Sequence, residues 1–178
     1  MMRWIGAAFV LALLCACNPS VQTASSPSPN PSPTSSALSL KISGHGTAAR
    51  PVRFVAQQRS RVQYDLLASS FESIGAQGSA RADFANVRVT FHGKDGSRLM
   101  AQSPQAIVDQ STNMIDMEGG VRAKNDNGTT LSCDTLQYDH ATEMLYGTGH
   151  VVITSANGFR ATGDRFESDI SLTHTRMQ

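Results

Sequence analysis

Short runs of alternating apolar and polar residues fill the chain from about residue 38 onward, and Gly, Asn and Asp punctuate them. Val87/Val89/Phe91, Leu99/Ala101, Val121/Ala123, Leu131/Cys133, Val151/Ile153 and Phe159/Ala161 place apolar side chains at odd positions. That period of two is the mark of a strand with one buried face. No stretch holds a 3.6-residue period long enough to demand a helix. Asp95-Gly96, Asn127-Gly128 and Asn157-Gly158 separate paired runs and predict hairpin turns, since both residue types tolerate positive φ. The fold class is therefore all-β.

Three segments, starting at Val87, Val121 and Val151, repeat this plan. The second and third lie 30 residues apart, as do Asp109, Asp139 and Asp169 in turn. A period near 30 with strand signals predicts stacked hairpin units, none able to bury its face alone. Within each unit the apolar parity then flips, to Ala106/Val108, Leu136/Tyr138 and Phe166/Ser168. Because the side-chain period is two, such a flip requires a bulge or corner, placed at Pro104, Asp134 and Gly163-Asp164. Strands that turn a corner from one sheet to another describe an open, twisted β-jelly roll, or a two-sheet sandwich of repeated hairpins. The apolar parities predict an inward-facing set that includes Val87, Leu99, Val121, Leu136 and Phe166, with Arg88, Thr90, Arg122 and Arg160 facing solvent. The three repeated aspartates are read as turn carboxylates that bond their own backbone, not as a metal or acid–base array.

The first residues follow a different pattern. Arg3 precedes an apolar stretch from Trp4 to Leu14, too short to span a bilayer but suited to an export signal. Leu14-Cys15-Ala16-Cys17 is similar to a bacterial lipobox with Cys17 as the lipid acceptor; cleavage by an ordinary signal peptidase is the other reading. The predicted organisation is a signal peptide at 1–16, a lipidated Cys17 with a Pro/Ser-rich tether at 17–37, and a β domain at 38–178. The tether, rich in proline and serine and free of charge from 18 to 36, is expected to stay extended and to reach roughly 60 Å. Lys+Arg total 15 against Asp+Glu 14, a balance that leaves no charge excess for nucleic acid and makes the lipid the predicted membrane anchor.

Candidate chemistry is sparse. The histidines, at 45, 92, 140, 150 and 174, lack metal-ligand spacing and read as surface or strand-edge residues. Cys133 sits among apolar positions and reads as an inert core thiol. No nucleophile elbow or phosphate loop is present. The expectation is a non-enzyme with no cofactor and no metal site. Met100, Met114, Met117 and Met144 add the adaptable apolar surface found at promiscuous binding sites.

The body of the chain resembles the LptC family and the related LptA/OstA-like domains of lipopolysaccharide export. The resemblance rests on Gln63 to Ala68, Phe84 to Phe91 followed by Asp95-Gly96, Leu99 to Ala101, Gly119 to Arg122, Leu131 to Asp139 and Leu145 to Val151. It implies a periplasmic jelly roll that accepts lipopolysaccharide, or a related glycolipid, from an inner-membrane ABC lipid exporter. Such a domain shields the acyl chains between its sheets and passes the lipid to an LptA/OstA-like periplasmic protein joined edge to edge. On that footing the lipid-binding candidates are Val87, Val89, Phe91, Leu99, Ile115, Met117, Val121, Leu131, Leu136, Tyr138, Val151, Ile153, Phe159 and Phe166. Family members carry an N-terminal transmembrane helix, which the lipid anchor replaces here. The expected location is the periplasmic face of a bacterial membrane, inner by resemblance and outer as the alternative. A non-catalytic envelope lipoprotein that binds a polysaccharide or protein is the second functional reading.

The last alternating segment, Asp169 to Arg176, predicts a terminal strand with an unpaired edge. Ile170, Leu172 and His174 would then form the partner edge, extended by strand addition. On this reading, removing residues 170–178 leaves the fold largely intact and abolishes partner binding.

Overall fold

The computed structural model describes residues 40–75 and 80–178. The expected signal peptide at 1–16 and the whole of the tether at 17–37, Cys17 included, lie outside the described residues.

Thirteen strands form one continuous antiparallel sheet among the described residues. They are β1 (Leu40–His45), β2 (Val52–Gln58), β3 (Arg61–Ala68), β4 (Ser70–Gly75), β5 (Arg81–His92), β6 (Arg98–Asp109) and β7 (Met114–Glu118). After these come β8 (Val121–Asn125), β9 (Thr130–Cys133), β10 (Thr135–Asp139), β11 (Met144–Thr154), β12 (Arg160–Asp169) and β13 (Arg176–Met177).

The long strands β5, β6, β11 and β12 each take part in two arms of the sheet. In the first arm, residues 81–85 of β5 pair with β4, and residues 105–109 of β6 pair with β7. This arm runs β1-β4-β5-β6-β7-β10-β11-β12-β13. In the second arm, residues 88–91 of β5 pair with β3, and residues 99–102 of β6 pair with β8. It continues through β9 to residues 152–154 of β11.

The crease between the arms is where the parity flips. On β5 the buried residues change from Phe84 to Val87 and Val89 across Asn86, which has φ +50°. On β6 they change from Ala101 and Ser103 to Ala106 and Val108 across Pro104. Asp134 separates Cys133 from Leu136 between β9 and β10. A one-residue bulge interrupts the β11–β12 register between Thr148 and Val151, with Gly149 and His150 at positive φ. The β5–β6 register runs unbroken past Asn86 and Pro104, whereas β11 carries one residue more than β12 at its crossing, and in both the flip turns the two arms' apolar faces toward a common interior.

The faces meet through rings. Tyr138 of the first arm lies 4.5 Å from Phe91 and 6.5 Å from Tyr64 of the second, centroid to centroid. Phe54 on β2 approaches Phe84 on β5 at 6.1 Å.

The Asp-Gly and Asn-Gly turns occur where expected, but the glycine alone supplies the left-handed backbone. Gly96, Gly128 and Gly158 have φ of +84°, +85° and +86°. Each donates its N–H to the carbonyl three residues before, and Gly93, Asn125 and Ser155 each donate to the carbonyl four residues after. This is a three-residue loop with a G1 bulge, not a two-residue turn with both residues at positive φ.

The repeated aspartates are turn carboxylates. Asp109 accepts from the N–H groups of Ser111 and Thr112, Asp139 from that of Ala141 and Asp169 from that of Thr173. Partial burial pushes the Asp169 carboxyl up, yet hydrogen bonds from His174, Ser171 and Thr173 outweigh it and hold it at about 2. Its unfolded value is near 3.9, so this contribution is present above about pH 4 and is lost as pH falls toward 2. Solvent screening of this half-buried group at the surface limits it to about 1 kcal/mol or less. Asp169→Asn should flatten the slope of unfolding free energy between about pH 4 and pH 2, read by urea titration. An unaltered slope would show that the carboxylate contributes nothing through these bonds.

Candidate functional site

The interior between the arms is where the sequence-derived lipid residues converge. Val87, Val89, Phe91, Leu99, Ile115, Met117, Val121, Leu131, Leu136, Tyr138, Val151, Ile153 and Phe166 are all buried in one apolar cluster. Arg88, Arg122 and Arg160 are exposed and Thr90 is half-buried, so the register assigned from alternation holds.

Phe159 departs from this set. It is 68% exposed and precedes β12, closing the turn through its carbonyl, which accepts from Ser155 N–H. Thirty residues beyond Leu131 the chain reaches Ala161, not Phe159, and Ala161 is the residue paired with Ile153. Phe159 corresponds to Thr129 of the previous unit, a turn position, and this is why its ring projects outward.

The predicted partner edge is also corrected. β12 ends at Asp169, and residues 170–175 form a turn that brings β13 back onto β12. Ile170 and Leu172 are 3% and 8% exposed, and Leu172 has φ +58°, so neither belongs to an open strand. His174 is exposed, with its Nδ1 2.9 Å from Asp169 Oδ2. Among the described residues, the start of β12, residues 160–162, pairs with β11 alone and leaves its other side uncovered.

The mouth of the interior, where the arms' turns face each other, is polar and bridged. Glu143, at positive φ in the turn after β10, accepts a hydrogen bond from Arg61 at the start of β3. Lys94 Nζ lies 3.4 Å from the same carboxylate. Farther along, buried Asn125 on β8 donates from Nδ2 to the Ser171 carbonyl at 2.6 Å. These contacts join the tips of the two arms.

Between them three buried polar atoms find no partner among the described residues: Gln63 Oε1, Tyr138 OH and His140 Nε2. Gln63 is inward-facing because the β2–β3 register slips between Ala56 and Gln57, and a bulge residue shares the side of its neighbour. Burial pushes the Tyr64 hydroxyl up to about 12 and raises the Tyr138 hydroxyl further, so both stay protonated donors. Burial also holds the His140 ring below its ordinary value, against the pull of Glu143 and Asp139. His140 is thus a half-buried member of the mouth, edge-on to Tyr64 at 5.9 Å, where composition suggested a surface residue. Alternation gave no sign of Gln63, His140 or Glu143, because a bulge and a turn place them.

A cavity of about 180 Å³ enters the interior here, lined by Phe54, Ala56, Tyr64, Val108, Ile115 and His140 among others. The space behind it is occupied by the protein's own side chains: Leu66, Val89, Phe91, Leu99, Tyr138 and Leu145 are fully enclosed. Cys133 lies in this core. Burial, with Asp134 adding to it, pushes its thiol up to about 12, so it is not a nucleophile near neutral pH.

A comparison with curated proteins finds no match. The family described as lipopolysaccharide-assembly, LptC-related matches residues 8–176. That match spans nearly the whole chain and agrees with an all-β sheet folded on an apolar interior. The chain belongs to the LptC family, the periplasmic components of lipopolysaccharide transport.

Proposed function

We propose that the interior between the two arms takes up the acyl chains of lipopolysaccharide and releases them to a following jelly-roll domain. The observation that carries this reading is the form of the interior. It is a continuous apolar cluster between two arms that meet at a crease, with a few polar contacts bridging its mouth. Each methylene moved from water into such a space contributes about 0.8 kcal/mol. Because side chains fill the closed interior, chains enter only as the arms part, and the protein's own packing returns when the lipid leaves. Binding and release are then two packings of one core, and no chemical step is involved.

A photo-crosslinking side chain at Ile153 or at Ile115 is expected to label lipopolysaccharide in cells, and one at Gln105 is not. Ile153 and Ile115 face the interior, and Ile115 also lines the cavity at its mouth, whereas Gln105 is exposed on the outside of the first arm. Equal labelling from all three positions would overturn the proposal and favour a surface-binding envelope protein.

The lipid is supplied by an inner-membrane ABC exporter and handed on across the open half-edge of β12, where an OstA-like partner adds a strand. The chain is held at the membrane by lipid on Cys17, on the strength of the Leu14-Cys15-Ala16-Cys17 sequence. Cys17→Ser should abolish metabolic incorporation of fatty acid. Labelling equal to that of the unaltered protein would disprove the anchor.

A further inference from the structure

The outer face of the second arm carries a second, chemically different site. We propose that it binds a phosphorylated saccharide, independently of any acyl chain.

A cavity of about 490 Å³ lies on this face, and a larger one of about 920 Å³ runs beside it along the crease, where Val87, Val121 and Cys133 also line it; both share Arg88, Gln102, Arg122 and Ser132 in their walls. Backbone register places those four residues in one straight row across four strands: Arg88 opposite Gln102, Gln102 opposite Arg122, and Arg122 opposite Ser132. Neighbouring strands are about 4.8 Å apart, so the two arginines start roughly 10 Å apart with an amide between them. Lys124 stands two residues along β8 from Arg122, on the same face, and lines the smaller cavity.

The charge of this face is unbalanced. None of Arg88, Arg122 and Lys124 takes part in an ion pair among the described residues. The one acid lining either cavity is Asp134, and His150 Nδ1 lies 2.8 Å from its carboxylate. Asp65, farther along the face on β3, is held by Arg53 on the neighbouring strand. Two arginines in one row, a lysine beside them and no carboxylate between them call for an anion, and forked guanidinium groups suit phosphate oxygens.

The neutral residues select the class of anion. Gln102 between the arginines offers an amide and Ser132 beyond Arg122 a hydroxyl, both able to bond sugar hydroxyls beside the charged groups. An extended acidic peptide is a poorer fit. The strands beneath are central ones, paired on both sides, so no backbone edge is left for strand addition. The row itself faces away from the interior, since Arg88, Gln102 and Arg122 are exposed between buried neighbours, so occupancy of the row needs no opening of the arms.

The test uses glucose 1,6-bisphosphate, which has phosphates and no acyl chain, titrated into the protein with backbone amide shifts and calorimetry as readouts. The expected result is saturable binding, with shifts confined to β5, β6, β8 and β9. Arg88→Gln with Arg122→Gln should weaken it by about tenfold or more, while an unaltered thermal transition confirms the fold. Glucose should not bind, and digalacturonate and a hexaglutamate peptide should bind more weakly. No saturable binding, binding unaffected by the double substitution, or tighter binding of the peptide or the uronate would each overturn the proposal. Because the probe lacks acyl chains, its failure says nothing about lipid in the interior, and crosslinking at Ile153 says nothing about this face.

Discussion

Deleting residues 170–178 is expected to unfold the domain or to lower its thermal midpoint by at least about 10 °C. The segment is short, but its contacts are those of a core element. Ile170 and Leu172 are buried in the apolar cluster, and burying one such side chain contributes about 1.5–3 kcal/mol. The Ser171 carbonyl accepts from Asn125 Nδ2, which is itself buried, and removing it strands that amide at a cost of about 1–3 kcal/mol. β13 pairs with Phe166 and Glu167, and the Gln178 carbonyl accepts from the N–H groups of Asp164 and Arg165. Together these losses approach about 5 kcal/mol or more, a large share of the 5–15 kcal/mol that a typical domain has. Circular dichroism during heating reads the result. A transition unmoved by the deletion would mean that the segment is an appendage, and would restore the open-edge reading of Asp169 to Arg176.

That reading failed for an instructive reason. Ile170, Leu172 and His174 alternate as a strand does, yet the alternation continues through a turn held by Asp169, whose carboxylate gathers the Thr173 N–H and hydroxyl and the His174 ring. Asp109 and Asp139 bind turn residues in the same way at the equivalent points of the preceding units. The 30-residue repeat therefore already marked Asp169 as the end of a strand. Phe159 was misplaced by counting parity without the repeat, since a turn residue and a strand residue can share parity. Where a strand is long and one face is buried, alternation decides every side chain, and Val87 to Phe91 and Val121 to Ala123 follow it. The crease was legible too, because a parity flip has no other cheap explanation. The polar mouth was not. Arg61 and Glu143 lie 82 residues apart, and only the closing of one arm on the other brings them together.

The closed mouth and the filled interior belong to the same balance. Arms packed on Phe91, Tyr138 and Tyr64 gain apolar burial that an entering acyl chain must match. The Tyr138 hydroxyl and the His140 Nε2, which find no partner among the described residues, lie at this same mouth, so separation of the tips exposes polar as well as apolar groups to water.

A glycine–phenylalanine pair inside the first arm carries the other large expected effect. Gly147 on β11 is directly opposite Phe166 on β12. A Cβ added to Gly147 would lie 1.9 Å from Phe166 Cε1, so the ring rests on bare backbone. Gly44 opposite Phe71 repeats the arrangement between β1 and β4, with the corresponding distance 2.5 Å. An aromatic ring laid across a strand glycine restores the packing that the missing side chain would give. Phe166→Ala is expected to cost about 3–5 kcal/mol, as buried aromatic truncations do. Gly147→Ala alone, which forces the enclosed ring to move, should cost about 1–3 kcal/mol. Gly147 is not at positive φ, so its own backbone accepts a side chain once the ring is gone. The double variant should then be no less stable than Phe166→Ala, and the added methyl should recover part of the loss through strand propensity and burial. Urea unfolding of the four proteins gives the coupling directly. Strictly additive losses would mean that the ring and the glycine do not share one site, and that the close approach plays no part in the stability of the sheet.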